Sequence, residues 1–296
     1  MTTQADIIND VQNHLYSQYQ IRDGVTALNG AMTDSELTFS VDDGTVVRKG
    51  FVEIDNELLE VASSSSTGQV TVYGWGRGER GTTAAAHTDG TKVTVNPLYP
   101  RTVIKAAIDE VVASLYPMLW QTVTDVSNTF DPTILTYALP AACEDVMSVA
   151  FKVDGSTLRH YPITRYNFDR NVNTAVWATG RVIEILQAPQ TDALLRVTYK
   201  RIPVGFTTES TAMTAAGLKE SWRDIIRYGV LYRLLVTAES QRLQSQSAEA
   251  SGRNEKMQPY QALSVSKHYM GLFRARVDEE RRLLLNENPG TIVRLT

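Results

Sequence analysis

Apolar residues recur at two spacings along this chain, and the switches between them divide it into helical and extended stretches. Ile7, Ile8, Val11, Leu15 and Tyr19 fall three or four apart, on one face of an N-terminal helix that Asp23-Gly24 ends. From Val25 to Val95 the pattern becomes that of strands. Leu37–Val41 alternates before the Asp42-Asp43-Gly44 turn, and Val52–Val61 and Val70–Tyr73 flank a hairpin loop at Ser63–Gly68. Pro97 and Pro100 close this module and Thr102 is placed to cap a second helix. Ile104, Ile108, Val111, Leu115 and Leu119 line that helix until Pro117 ends it near Tyr116.

Extended runs return at Leu135–Leu139, Val146–Val153, Thr157–Pro162, Arg181–Leu186 and Ala193–Ile202, with Asp154-Gly155 as a hairpin turn. That makes about five strands. The last third is helical again. Leu218, Trp222, Ile225, Ile226, Tyr232 and Leu234 belong to a long helix over about Ala216–Ser247, and a polar break follows at Glu249–Asn254. A further helix starts near Pro259, carries Leu263, Met270, Phe273, Val277 and Leu284 on one face, and runs to about Asn286. Asn288-Pro289-Gly290 stops it, and a short apolar, β-prone tail, Thr291–Thr296, remains.

Two of the breaks between these helices are too long to be loops. The expected fold is therefore α+β: a four-helix bundle body with two antiparallel β insertions and an extended C-terminal tail. The expected segments are an N-terminal bundle helix (1–22), a small β module (23–99), a second bundle helix (100–121), a second β domain (122–206), two long C-terminal bundle helices (207–287) and the tail (288–296).

Composition narrows the class. A chain of 296 residues with 43% hydrophobic and 21% charged residues is an ordinary globular protein. No stretch approaches the roughly 18 consecutive apolar residues of a membrane-spanning helix, and the N-terminus lacks the basic start and apolar run of a signal peptide. The single cysteine, Cys143, excludes an intrachain disulfide and a multi-cysteine zinc site, and reads as a small half-buried residue. A net charge of −4 argues against tight non-specific DNA binding, which needs many Lys and Arg contacts to phosphate. It is compatible with a channel past which DNA slides, because a carboxylate-lined wall repels phosphates.

Candidate chemistry is sparse. Gly76, Gly78 and Gly81 have the spacing of a dinucleotide-binding turn. Thr82-Thr83 and three alanines lead into the Asp89-Gly90 turn and a new strand at Lys92–Val95, which leaves no room for the crossover helix such a site needs. Glu53, Asp55 and Glu57 alternate on one strand and read as a solvated face; His87 reads as a loop histidine bonded to nearby backbone. There is no zinc-protease His pair, no nucleophile elbow and no phosphate-binding loop of the Walker type. Neither a catalytic site nor a cofactor is expected. On the last helix, Arg274, Arg276, Asp278, Glu279, Glu280, Arg281 and Arg282 form a charge run with i,i+4 pairs such as Asp278 with Arg282. Two readings fit it: a solvated face, or a subunit interface carried by Arg274, Arg281 and Arg282. The tail also has two: strand addition to another chain, or a return to this chain's own sheet.

One pattern resembles a known family. Ile54-Asp55-x-Glu57, then Val70-Thr71-Val72, then Arg77-Gly78-x-x-Gly81-Thr82-Thr83-Ala84-Ala85-Ala86-His87-x-x-Gly90 is similar to a small β module of tailed-bacteriophage structural proteins. Together with the element order, it resembles a head–tail adaptor, or connector, of the phage neck. That resemblance implies a virion protein assembled in the host cytoplasm and a homo-oligomeric ring of about twelve subunits. It also implies docking on a portal protein through Thr291, Ile292, Val293, Arg294, Leu295 and Thr296, a platform for the next neck or tail protein, and genomic DNA passing through without specific binding. The alternative within phage structure is a tail-tip or baseplate protein; the remote one is a nucleotide-dependent enzyme using the glycine cluster.

Overall fold

The computed structural model describes residues 1–18, 24–152, 160–187, 193–248 and 261–287. The Asp154-Gly155 turn, the polar break at Glu249–Asn254, the helix start near Pro259 and the tail lie outside them, as does Tyr19. Contacts divide the chain into two compact units: Gln4–Asp109 with Gly229–Lys267, and Met1–Thr3 with Glu110–Tyr228 and His268–Thr296.

In the first unit, α1 (Gln4–Gln18) precedes six strands: β1 (Gly24–Ala27), β2 (Thr38–Ser40), β3 (Gly50–Ile54), β4 (Glu57–Ser64), β5 (Gln69–Val72) and β6 (Lys92–Val95). They pair antiparallel in the order β1-β6-β3-β4-β5-β2 and curl into a half-barrel. Its two edges are drawn together by a bridge between Leu28 and Val41 and by Asn29 N–H donating to the Ser40 carbonyl at 2.9 Å. Alternation supplies the core: Val52, Ile54, Leu59, Val61, Val70, Val72, Val93 and Val95 turn inward and are buried together with Leu28, Met32 and Phe39. The run read as one strand, Val52–Val61, is instead a hairpin, β3 to β4. Its turn is at Asp55-Asn56, where Asp55 takes a left-handed φ of 51° that Asp tolerates better than most residues.

The helix α2 (Arg101–Leu115) ends just before a cis Tyr116-Pro117 bond, as Pro117 predicts, so Leu119 falls beyond it. Its first N–H, that of Arg101, donates to Glu53 Oε1 at 2.6 Å. Glu53 is 5% exposed. The expected solvated carboxylate is thus a buried cap at a helix N-terminus, where unpaired N–H groups and the helix dipole favour negative charge.

Among the described residues the second unit contains seven strands rather than about five: β7 (Gln121–Asp125), β8 (Thr136–Ala138), β9 (Asp145–Lys152), β10 (His160–Ile163), β11 (Tyr166–Asp169), β12 (Val182–Ile185) and β13 (Leu194–Arg201). They form a four-stranded sheet, β10-β9-β13-β7, and a three-stranded sheet, β11-β12-β8. Both sheets contribute to one core, which includes Tyr137, Val149, Ile163, Ile183, Ile185, Leu195, Val197 and Tyr199. Cys143 is fully buried in it, and burial pushes its thiol up to about 12, so it packs rather than reacts. The long helices are α3 (Arg223–Ala248), entered through a short turn at Glu220–Trp222, and α4 (Gln261–Glu287).

The four-helix bundle body is therefore not what forms. Among the described residues there are thirteen strands in three sheets and four helices, and two of the cores are built on those sheets. An apolar helical stripe states that one face is buried, not against what. The two β segments each close a core of their own, so they are bodies rather than insertions.

Removing inward volume from the half-barrel is expected to be costly. Leu59→Ala should destabilise that unit by about 2–5 kcal/mol. Gly44→Ala should also lower its melting temperature, because a Cβ there would stand 2.3 Å from the Ser65 carbonyl oxygen. Leu37→Ala, at a partly exposed position, should stay within about 0.5 kcal/mol in the same thermal unfolding series.

Candidate functional site

The residues of the phage-like motif converge on one buried carboxylate at an end of the half-barrel. Glu57 opens β4, pairs across the turn with Ile54, and is 1% exposed. Its Oε1 accepts from Arg77 Nε at 2.6 Å and from the Gly78 N–H at 3.1 Å. Its Oε2 lies 2.9 Å from an Arg77 terminal nitrogen, 3.0 Å from the Ala85 N–H and 2.9 Å from His87 Nε2. Arg77 is equally saturated. Besides the two bonds to Glu57, it donates to the carbonyls of Thr33 at 2.9 Å, Glu36 at 2.7 Å and Ala85 at 2.8 Å. Those five bonds match the five N–H donors of a guanidinium.

Other residues of the motif support this centre. Gly78 sits at φ 65°, and a Cβ on it would press on the Thr82 carbonyl at 3.0 Å. Thr82 Oγ1 accepts the Leu58 N–H at 3.1 Å and donates to the Glu79 carbonyl at 2.8 Å. His87 places Nδ1 2.9 Å from Asp55 and exchanges backbone hydrogen bonds with Met32. The expected solvated strand face and backbone-bonded loop histidine are thus corrected: both ring nitrogens of His87 face carboxylates. A hairpin turn could have flagged this, since it directs Glu57 inward while Asp55, whose side chain stays exposed at the turn, reaches His87 from outside. Among the described residues no cluster of three or more His, Cys, Asp or Glu is arranged to hold a metal ion.

The arrangement locks a loop. Gly76, Gly78 and Gly81 lead only into a three-residue 3-10 turn at Glu79–Gly81, not into a helix that could hold a pyrophosphate. On the outer side of the locked loop, Trp75 stacks on Tyr73 with centroids 4.9 Å apart and stays 69% exposed. Arg80, at a left-handed φ of 53°, lies over the Phe51 ring at 4.3 Å.

Arg274, Arg281 and Arg282 are exposed on α4, consistent with either reading of the charge run. Arg276 between them turns inward to Glu279 and to Glu280, which is 4% exposed and also accepts from the Trp222 ring N–H at 3.1 Å. Thr291–Thr296 lie outside the described residues.

Burial presses the Glu57 carboxyl upward, but hydrogen bonds from Arg77, Ala85 and His87, with the Arg77 charge, outweigh it and hold the group below the ordinary value of 4.5. Its stabilising contribution is therefore complete above that value and lost as pH falls through the lower folded one. Acid titration of the half-barrel unit should show this loss in the wild type and not in Glu57→Gln. At neutral pH, Glu57→Gln leaves Arg77 buried without its counter-charge and should cost about 3–5 kcal/mol, read by thermal unfolding.

No helix among the described residues is long and apolar enough to cross a membrane. Comparison with curated proteins finds no match. Residues 2–276 match the SU10 adaptor protein family, a match that spans both sheet-bearing units and bears out the expected resemblance to a head–tail adaptor. The chain belongs to the SU10 adaptor protein family.

Proposed function

We propose that the protein is a structural virion component that joins the head of a tailed phage to its tail. The observation that carries this reading is the family match across residues 2–276. In this reading the subunits form a closed ring of about twelve copies. Arg274, Arg281 and Arg282 on the exposed side of α4 contribute to the contact between neighbours. The tail, Thr291–Thr296, docks on the portal, and the ring presents a platform to the next neck or tail protein. Three features support the assignment of an assembly role. The motif residues are spent on hydrogen bonds to one another. The units are sheet bodies with closed cores. The net charge of −4 lets DNA pass without being gripped. Repetition around the ring makes individually weak tail contacts strong together.

Deleting residues 288–296 should leave both units folded by circular dichroism and abolish joining to purified heads; wild-type joining by the truncated protein sinks the docking role. The triple change Arg274→Glu, Arg281→Glu, Arg282→Glu should shift the particle toward smaller species in native mass spectrometry. An unchanged ring mass would remove those arginines from the interface.

A further inference from the structure

Gly76 lies outside the Glu57 centre, and its surroundings show what it does. The Tyr73 N–H donates to the Glu60 carbonyl at 3.1 Å, and the Glu60 N–H donates to the Gly76 carbonyl at 2.8 Å. One residue of β4 thus holds both ends of a turn. The Gly76 N–H closes it on the Tyr73 carbonyl at 2.8 Å, and Gly74-Trp75 stands out between them. A Cβ on Gly76 would lie 2.7 Å from the Glu60 carbonyl oxygen and 2.8 Å from Val72 Cγ1, so this close approach requires glycine.

The turn rises from an aromatic row. Phe51, Glu60 and Tyr73 each adjoin an inward-facing valine (Val52, Val61 and Val72), and therefore share the outer face of the half-barrel. Trp75 stacks on Tyr73, Lys49 Nζ is 5.9 Å from the centre of the Tyr73 ring, and Arg80 covers Phe51. Glu60 attracts Lys49 from within the row. Lys49, Trp75 and Arg80 are all exposed. A tryptophan held in water by a fixed turn meets a partner with little further loss of freedom, and tryptophan, tyrosine and arginine dominate binding hot spots.

The complement is on the opposite wall of the same unit. β3 and β4 are the central strands of the order β1-β6-β3-β4-β5-β2, whereas the edges β1 and β2 meet at the Leu28–Val41 bridge. Exposed Asp42, Asp43 and Asp89 flank that seam and are tied to it. The Asp42 N–H donates to the Ala27 carbonyl at 3.0 Å, the Asp43 N–H to Thr26 Oγ1 at 2.9 Å, and Asp89 accepts the Gly30 N–H at 2.7 Å. β1 and β2 contain no cation, and Lys92 on β6 stands across from Ala27. Val25 on β1 and Leu37 before β2 add exposed apolar surface. One wall thus offers aromatic rings with cations, the other aliphatic side chains with carboxylates. Two copies match wall to seam, while wall to wall would oppose like charges.

We propose that Trp75 and its cationic rim bind the β1–β2 seam of a second copy of this chain, half-barrel to half-barrel and head to tail. This rests on the reading of the protein as a ring and names two surfaces that build it. A contact between different surfaces on opposite walls leaves one of each free in every dimer, so it repeats until the rotation closes.

The test compares full-length wild type, the knob variant Lys49→Glu/Trp75→Glu and the seam variant Val25→Lys/Asp42→Lys by native mass spectrometry. Each variant alone should fall from the ring to a single subunit. Mixed in equal amounts they should give a dimer and nothing larger, since one intact knob meets one intact seam. That dimer also shows both variants to be folded. A ring mass that survives either variant refutes these surfaces and keeps the ring reading, and so does a mixture that stays single while both variants melt as wild type. Loss of the ring in the knob variant alone means that Trp75 binds elsewhere, and overturns the proposal. A wild type that is itself a single subunit refutes the ring reading. Should a variant melt below wild type, Trp75→Ala and Val25→Ser replace the pair. Each should weaken assembly about tenfold or more, and unchanged assembly overturns the proposal.

Discussion

The bidentate pair between Glu57 and Arg77 sets the geometry of the half-barrel's polar end. The half-barrel has an apolar interior and a polar end at the β3–β4 turn. The segments crossing that end, Thr33–Glu36 and Arg77–His87, have little regular structure, so their backbone groups need partners that a sheet ladder does not supply. Arg77 donates to three of those carbonyls and Glu57 accepts from two of the N–H groups. The ion pair thus serves as backbone scaffolding. Its charges stabilise each other, and their remaining hydrogen-bonding capacity ties the loop to β4.

An apolar plug would fill the same space, and buried ion pairs are often no more stabilising than hydrophobic replacements. It would leave the part-buried Gly78 and Ala85 amides without a partner, however, at a cost of about 1–3 kcal/mol each. The carbonyls of Thr33, Glu36 and Ala85 are exposed and can turn to water, so it is those two amides that favour charge at this position. The same reasoning accounts for the glycines and threonine. Gly78 must bring its N–H to Glu57 in a left-handed conformation, and Thr82 must serve the Leu58 N–H. A spacing that resembles a phosphate-binding turn arises because both solve one problem, a backbone brought close to negative charge. Here the charge belongs to the protein.

Much of this is legible in the residues. The N-terminal and second helices follow from Ile7, Ile8, Val11 and Leu15 and from Ile104, Ile108 and Val111, and the flanks of Gly76–Gly81 already exclude a helix. The hidden parts have physical causes. Asp55-Asn56 lies inside an apolar run, where strand-like neighbours conceal the turn. Once it is a turn, Glu53 and Glu57 leave the face an unbroken strand would have them share, and each becomes a buried cap. β7 (Gln-Thr-Val-Thr-Asp) and β11 (Tyr-Asn-Phe-Asp) carry too few aliphatic side chains to announce strands, since both lie at sheet edges where burial is partial. Four apolar helical stripes suggest a bundle because helical periodicity reports a buried face without naming its partner.

An adaptor has to present surfaces of fixed shape to its neighbours, and each unit meets that requirement by a different route. Closed sheet cores set the bulk of both units, because alternating apolar side chains interlock at close-packed density and leave few other arrangements. Where regular pairing gives way to irregular chain, at the loop from Arg77 to His87, apolar packing alone cannot fix the backbone, and the bidentate Glu57–Arg77 pair does so through hydrogen bonds whose directions leave the loop one conformation.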